Sequence, residues 1–129
     1  MLEKLPEKFI EPMIDALPIE ITFVDAEDIG RYYSKNGKRI FARTPKVIGS
    51  KVQDCHPEKS REKVEKVLQG LRNGTLKSFQ QKLENRQGRK ILNSYFPVKD
   101  KEGNYLGCIE VTQDVTEIQK LKGQTPKRA

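Results

Sequence analysis

The sequence predicts an α+β fold, one antiparallel sheet of five strands with helices over one of its faces. Three observations carry this. Two short strand-like segments, residues 19–25 and 30–35, flank the acidic turn Asp25-Ala-Glu-Asp28. Three longer ones, residues 77–84, 89–98 and 105–113, are joined by Gln87-Gly88 and by Asp100-Lys-Glu-Gly103 in hairpin positions. Between the two groups, Val64, Val67, Leu68 and Leu71 recur at i, i+3, i+4 and i+7, the period of an amphipathic helix over residues 57–72. A sheet with one apolar face needs helices to keep that face from water, and the concavity between them is either packed with side chains or occupied by a ligand.

Each element follows from local chemistry. Leu5, Phe9, Ile10, Met13 and Ile14 sit at helical spacing, which predicts an N-terminal flanking helix over residues 3–16 that ends before Pro18. Ile19-Glu-Ile-Thr-Phe-Val-Asp25 alternates apolar and polar positions, as a strand does. Asn36-Gly37 marks a turn. The stretch from Lys38 to Gln53 is broken by Pro45 and Gly49, so short helical turns are expected there. Pro57 suits the first turn of the long helix, and Asn73-Gly74 suits its stop. Pro97 fits a strand end or an edge. After the last strand, Asp114-Val-Thr116 precedes the charged pattern Glu117-Ile-Gln-Lys-Leu121. The short oxygens of Asp114 and Thr116 are placed to cap and orient an exit helix there. The domain proper then runs over residues 18–116, preceded by the flanking helix at 1–17 and followed by the exit helix and a disordered basic tail at 117–129.

Composition bounds the function. A chain of 129 residues with 35% hydrophobic residues supports one modest core. No run approaches the ~18 apolar residues of a membrane span, and the N-terminus has no apolar core of a secretory signal. Two cysteines, Cys55 and Cys108, make no disulfide framework, and a reducing cytoplasm is expected. The net charge is +7, but most basic residues alternate with acids, as in Glu58-Lys-Ser-Arg-Glu-Lys-Val-Glu-Lys66, a solvated helix face. Nucleic acid would want a clustered stripe, and only the tail, with Lys120, Lys122, Lys127 and Arg128, offers one. No catalytic triad, metal-ligand spacing or phosphate loop is visible, so no enzymatic activity is expected.

Three phrases, taken with the element order, resemble the PAS domain family. They are Phe23-Val-Asp25, then Val47-Ile-Gly49 followed by His56-Pro57 ahead of the long helix, then Gly107 through Asp114-Val-Thr116 with Glu117 beginning the exit helix. The resemblance spans about residues 18–121 and is similar to PAS modules found with hemerythrin-like partner domains. It implies strand order 2-1-5-4-3, a sensory and interaction role, dimerisation through flanking helices and, in some members, heme, flavin or a small metabolite between sheet and helices. Departures limit the transfer. Ser34 stands where many members carry Asn. Asp54-Cys-His-Pro57 lacks the reactive-cysteine phrase of the flavin photosensors. The heme-ligating His of oxygen sensors would fall near Lys63.

His56 is therefore the candidate heme ligand, with Cys55 as a thiolate alternative; otherwise it is a helix-entry residue that bonds locally. Ile40, Phe41, Val52, Val67, Leu71, Phe79, Leu92, Phe96 and Cys108 are expected to line a ligand pocket or to fill an ordinary core. Glu110 shares the parity of Cys108 and is read as an outward-facing polar residue; facing inward, it would be a ligand contact. The apolar stripe of the N-terminal helix predicts a homodimer or a cap on the sheet. The functional expectation is a sensor that binds a small ligand, cofactor or partner protein and reports through the Asp114–Thr116 joint to an effector. The rival is a ligand-free dimerisation module, and third stands a basic-tail nucleic-acid binder.

Overall fold

A computed structural model describes residues 1–124 and 126. Five strands form one antiparallel sheet: β1 (Glu20–Asp25), β2 (Gly30–Tyr33), β3 (Phe79–Glu84), β4 (Lys90–Lys99) and β5 (Tyr105–Asp114). Their spatial order is β2-β1-β5-β4-β3, so the last strand is the central one. Two α-helices are present among the described residues, α1 (Ile10–Ala16) and α2 (Glu58–Asn73). No helix among the described residues is long and apolar enough to cross a membrane.

The three hairpins share one turn design. Asp25, Asn85 and Asp100 each accept, through Oδ1, the N–H groups two and four residues on, at 2.9–3.1 Å. A short side-chain acceptor thereby satisfies the turn amides that no strand partner can reach. The left-handed position of each turn holds Asp28 (φ 65°), Gly88 (φ 76°) and Gly103 (φ 87°). Asp28 is the exception in type, and its side chain explains it. It is buried, receives Arg72 Nη2 at 2.6 Å and Gln53 Nε2 at 2.9 Å, and so ties the first hairpin to α2 and to the segment before it. At Gly107 (φ 153°) a Cβ would stand 2.1 Å from the Val24 carbonyl oxygen, so glycine is what lets β5 lie against β1 there.

The core sits where α2 crosses the inner face of the sheet. Val67, Leu68 and Leu71 pack on Val24 and Cys108, with Val52, Val64, Phe79 and Tyr95 around them. The inner face is fixed by register: Thr22, Glu110, Tyr95 and Phe79 form one cross-strand row, and Glu20, Thr112, Asn93 and Gln81 the next.

Two terminal expectations are corrected. Residues 3–16 are not one helix: the chain forms 3-10 turns at Leu2–Lys4 and Glu7–Phe9 before α1 begins. Pro6 has no N–H to continue a helix, while Pro12 falls in the first turn of α1, where its missing N–H costs nothing. The exit helix is a single 3-10 turn, Ile118–Lys120, after which Leu121 is extended. Ile118 and Leu121 are exposed, so that turn has no surface to pack on, and so short a helix does not persist alone. Lys127 and Arg128 of the basic tail lie outside the described residues.

Candidate functional site

A cleft of about 920 Å³ lies between the inner sheet face, α2 and the irregular segment from Ile40 to His56. Its apolar wall is Val24, Val64, Val67, Leu68 and Phe79. Its floor is polar, which the sequence reading missed. Glu110, on the central strand, faces inward and is anchored from three sides: Asn93 Nδ2 donates to Oε2 at 2.9 Å, the Tyr95 hydroxyl to Oε2 at 3.0 Å, and Arg43 Nη2 to Oε1 at 2.7 Å. Asn93 is fully buried, also donates to Thr112 Oγ1 at 3.1 Å, and accepts from Gln81 Nε2 at 3.0 Å. Burial and the adjacent Glu110 charge push the Tyr95 phenol far above its ordinary range, so it remains a donor at any physiological pH. Burial, reinforced by Glu110 and Asp28, raises the Cys108 thiol to about 12.

Two arginines from the segment after β2 lie on the inner side, Arg43 in the cleft lining and Arg39 buried behind it. Arg39, whose side chain is 1% exposed, donates to the carbonyls of Ser34 and Phe41 and lies 3.7 Å from Glu20. Burial lowers its pKa while Glu20 opposes that shift. Glu20 in turn accepts the Ile40 and Phe41 N–H groups, so one buried carboxylate holds the strandless segment against β1. Arg43 spans the cleft from that segment, with Nε 3.3 Å from Thr22 Oγ1.

Of the expected pocket residues, Phe41, Val52, Cys55, His56, Val67, Phe79 and Cys108 line the cleft, as does Ile40. Leu71, Leu92 and Phe96 do not. Leu71 is fully buried behind the lining as core. Leu92 and Phe96 alternate with Asn93 and Tyr95 along β4, so they point to the outer face, where Phe96 is 37% exposed. Glu110 likewise reverses its expected orientation: β5 turns Cys108, Glu110 and Thr112 to one side, and the Arg43 charge makes an acid tenable there. His56 Nδ1 lies 2.9 Å from the Val52 carbonyl. A carbonyl only accepts, so Nδ1 is the donor, and in the neutral ring Nε2 holds the lone pair.

The joint after β5 is also built differently from the expected helix cap. Thr116 Oγ1 accepts the Lys90 N–H at 2.8 Å, and Val115 N–H donates to the Lys90 carbonyl at 2.8 Å, both at the start of β4. Asp114 Oδ1 accepts the Thr116 N–H while Oδ2 binds Arg89 Nε at 2.8 Å. That Arg89 bond, with the Thr116 contacts, holds the Asp114 carboxyl at about 2. Asp114 and Thr116 thus fasten the chain to the β3–β4 hairpin and cap no helix. Thr116 took the amide of Lys90 at the start of β4, and Asp114 took the Thr116 amide and the Arg89 side chain.

A family model described as PAS domain matches residues 10–116. Among solved structures, the C-terminal domain of a Streptococcus mutans protein is 33% identical with a TM-score of 0.85, covering 92% of this chain and 91% of that one. The PAS domain of Bordetella pertussis BvgS is 21% identical with a TM-score of 0.63, covering 88% of each chain. A phage VqmA–DPO complex is 13% identical with a TM-score of 0.60, covering 93% of this chain and 59% of that one. No curated protein matches. The sheet order, the helices over its inner face and the family match across nearly the whole chain agree: this chain belongs to the PAS domain family.

Proposed function

We propose that this chain is a cytoplasmic, non-catalytic sensory domain that takes a small molecule into the inner cleft and passes its state along β5 to the segment after Asp114. One observation carries the reading. The central strand bears both Glu110, on the cleft floor, and Asp114, at the exit joint, four residues and roughly 13 Å apart. A ligand that binds one arrangement of the floor better than another shifts the population of that strand, and the joint moves with it. The phage VqmA protein, similar in fold over 59% of its chain, is solved as a complex with DPO. Native mass spectrometry of the full chain tests the reading. An added small-molecule mass is expected on the freshly purified protein, and Val67→Phe, which narrows the cleft, should remove it. Bare mass in both favours the ligand-free module.

Two finer readings have observations behind them. The free Nε2 of His56 on the cleft wall suits an axial iron ligand, so hemin is a candidate occupant. A Soret band that forms equally well in His56→Ala would exclude that ligand. Met13 on α1 and Phe9 and Leu17 at its two ends are exposed, which supports homodimerisation through this segment. Light scattering on a chain beginning at Asp15 should then read a monomer, and an unchanged dimer mass would refute it.

A further inference from the structure

We infer that the cleft selects a cationic ligand with a planar amidinium or guanidinium head and an apolar body, and that Arg43 is the built-in occupant of its head-group seat. This rests on the cleft being the ligand site. The acid of the seat stands on the sheet, and its cation reaches in from a loop. Glu110 stands on the central strand, held by Asn93 and Tyr95 from the neighbouring strand. Arg43 reaches it from a segment that is neither helix nor strand, 67 residues away in the chain. Removing the Arg43 arm leaves Oε2 with both its donors and Oε1 with none, a carboxylate oxygen with an open hydrogen-bonding direction facing the cleft.

Charge decides the sign of the ligand. Glu20, Arg39, Arg43 and Glu110 form a balanced set of two acids and two bases on the inner face. With Arg43 swung out, the set carries one uncompensated negative charge, which a cation restores. An anion would have to compete with Glu110 for Arg43 while leaving that acid in the cleft without its cation, the more costly arrangement. The remaining charged groups of the lining, Lys46, Asp54 and Lys63, are solvent-exposed and screened. A planar guanidinium or amidinium reproduces the head of Arg43, which bonds Glu110 Oε1 through Nη2 at 2.7 Å and Thr22 Oγ1 through Nε at 3.3 Å, two directed bonds from one rigid plane that a point-charge ammonium does not supply. Val64, Val67, Leu68 and Phe79 above the floor provide the apolar wall for the ligand body.

Displacement also supplies the switch. A ligand head that takes Glu110 releases the Arg43 arm, and with it the strap over the cleft, while Glu20 and Arg39 keep the base of that strap in place.

Benzamidine and benzoate are a matched pair for the test, similar in shape and opposite in charge. The full chain, Arg43→Gln and Glu110→Gln are titrated with each by 1H–15N NMR, reading the amides of Asn93, Tyr95, Cys108 and Glu110. Benzamidine should shift these amides in the native protein, bind about tenfold or more tightly to Arg43→Gln, and lose about tenfold or more in Glu110→Gln. A gain of affinity in Arg43→Gln cannot come from misfolding, so the test stands even if Glu110→Gln unfolds. Benzoate binding more tightly than benzamidine, or no gain in Arg43→Gln, overturns the cation assignment and leaves the cleft as a ligand site. No shift of these amides with either probe in any folded variant overturns both.

Discussion

Asn93→Ala is the sharpest test of the polar floor, because this one side chain meets three partners. Losing the 2.9 Å bond to the Glu110 carboxylate removes about 2 kcal/mol, within the range for hydrogen bonds to charged groups. Thr112, buried beneath it, is left with an acceptor that has lost its donor, about 1 kcal/mol more. The Gln81 contact is only part-buried and adds about 0.5 kcal/mol. The sum is about 3–4 kcal/mol. For a urea m-value of about 1.5 kcal/mol per molar, the unfolding midpoint should fall by about 2 M with m unchanged. Equilibrium denaturation followed by far-UV circular dichroism measures it. Pairing with Glu110→Gln in a double-mutant cycle should return a coupling of about 1–2 kcal/mol. A midpoint shift under about 0.5 M, or additive single changes, would show that Glu110 does not depend on Asn93 and that the floor is not a connected network.

Other outcomes follow from the same coordinates. Gly107→Ala places a Cβ 2.1 Å from the Val24 carbonyl oxygen, and neither strand can retreat without opening the central ladder, so a loss of about 3 kcal/mol or more is expected in the same assay. Asp28→Gly removes the left-handed strain at φ 65° but also frees Arg72 and Gln53; a net loss of about 1–2 kcal/mol is expected, and a gain would show that the latch contributes nothing. The Asp114 carboxyl has a folded pKa of about 2 against an ordinary 3.8, so its contribution is fully present above pH 3.8 and is lost as pH falls through about 2. Wild type should therefore exceed Asp114→Asn in denaturation midpoint at neutral pH and converge with it near pH 2, and a constant gap across that window would refute the Arg89 pairing. The Cys108 thiol, buried and raised to about 12, should resist a thiol reagent at pH 8 while exposed Cys55 reacts: one thiol per native chain and two in denaturant.

The fold was legible where its chemistry is local. The hairpins announce themselves because Asp25, Asn85 and Asp100 each organise a turn within four residues of their own position. The long helix shows because its apolar period runs through Val64, Val67, Leu68 and Leu71 without interruption. The cleft floor was hidden for the opposite reason. Ile91-Leu-Asn-Ser-Tyr-Phe96 is apolar on both faces of β4, so its parity cannot be read from hydropathy, and Leu92 and Phe96 were placed on the wrong side. Glu110 shares the parity of Cys108, which was the available signal, but an acid facing inward becomes reasonable only once Arg43 is known to meet it from 67 residues away. The exit element reads as helical over Glu117–Leu121 because periodicity records which residues could share a face, not whether any surface awaits that face.

The fastening of Thr116 to Lys90, reinforced by Arg89 on Asp114, ties the segment after β5 to the β3–β4 hairpin. Lys90 is only three residues from Asn93, roughly 10 Å along the same strand, so the seat and the latch share one stiff rail. On the proposed sensory reading, a strain at Asn93 would reach the terminus only by working against the Arg89–Asp114 pair and the Thr116–Lys90 bond, and substitutions at Arg89 would change that resistance without touching the cleft.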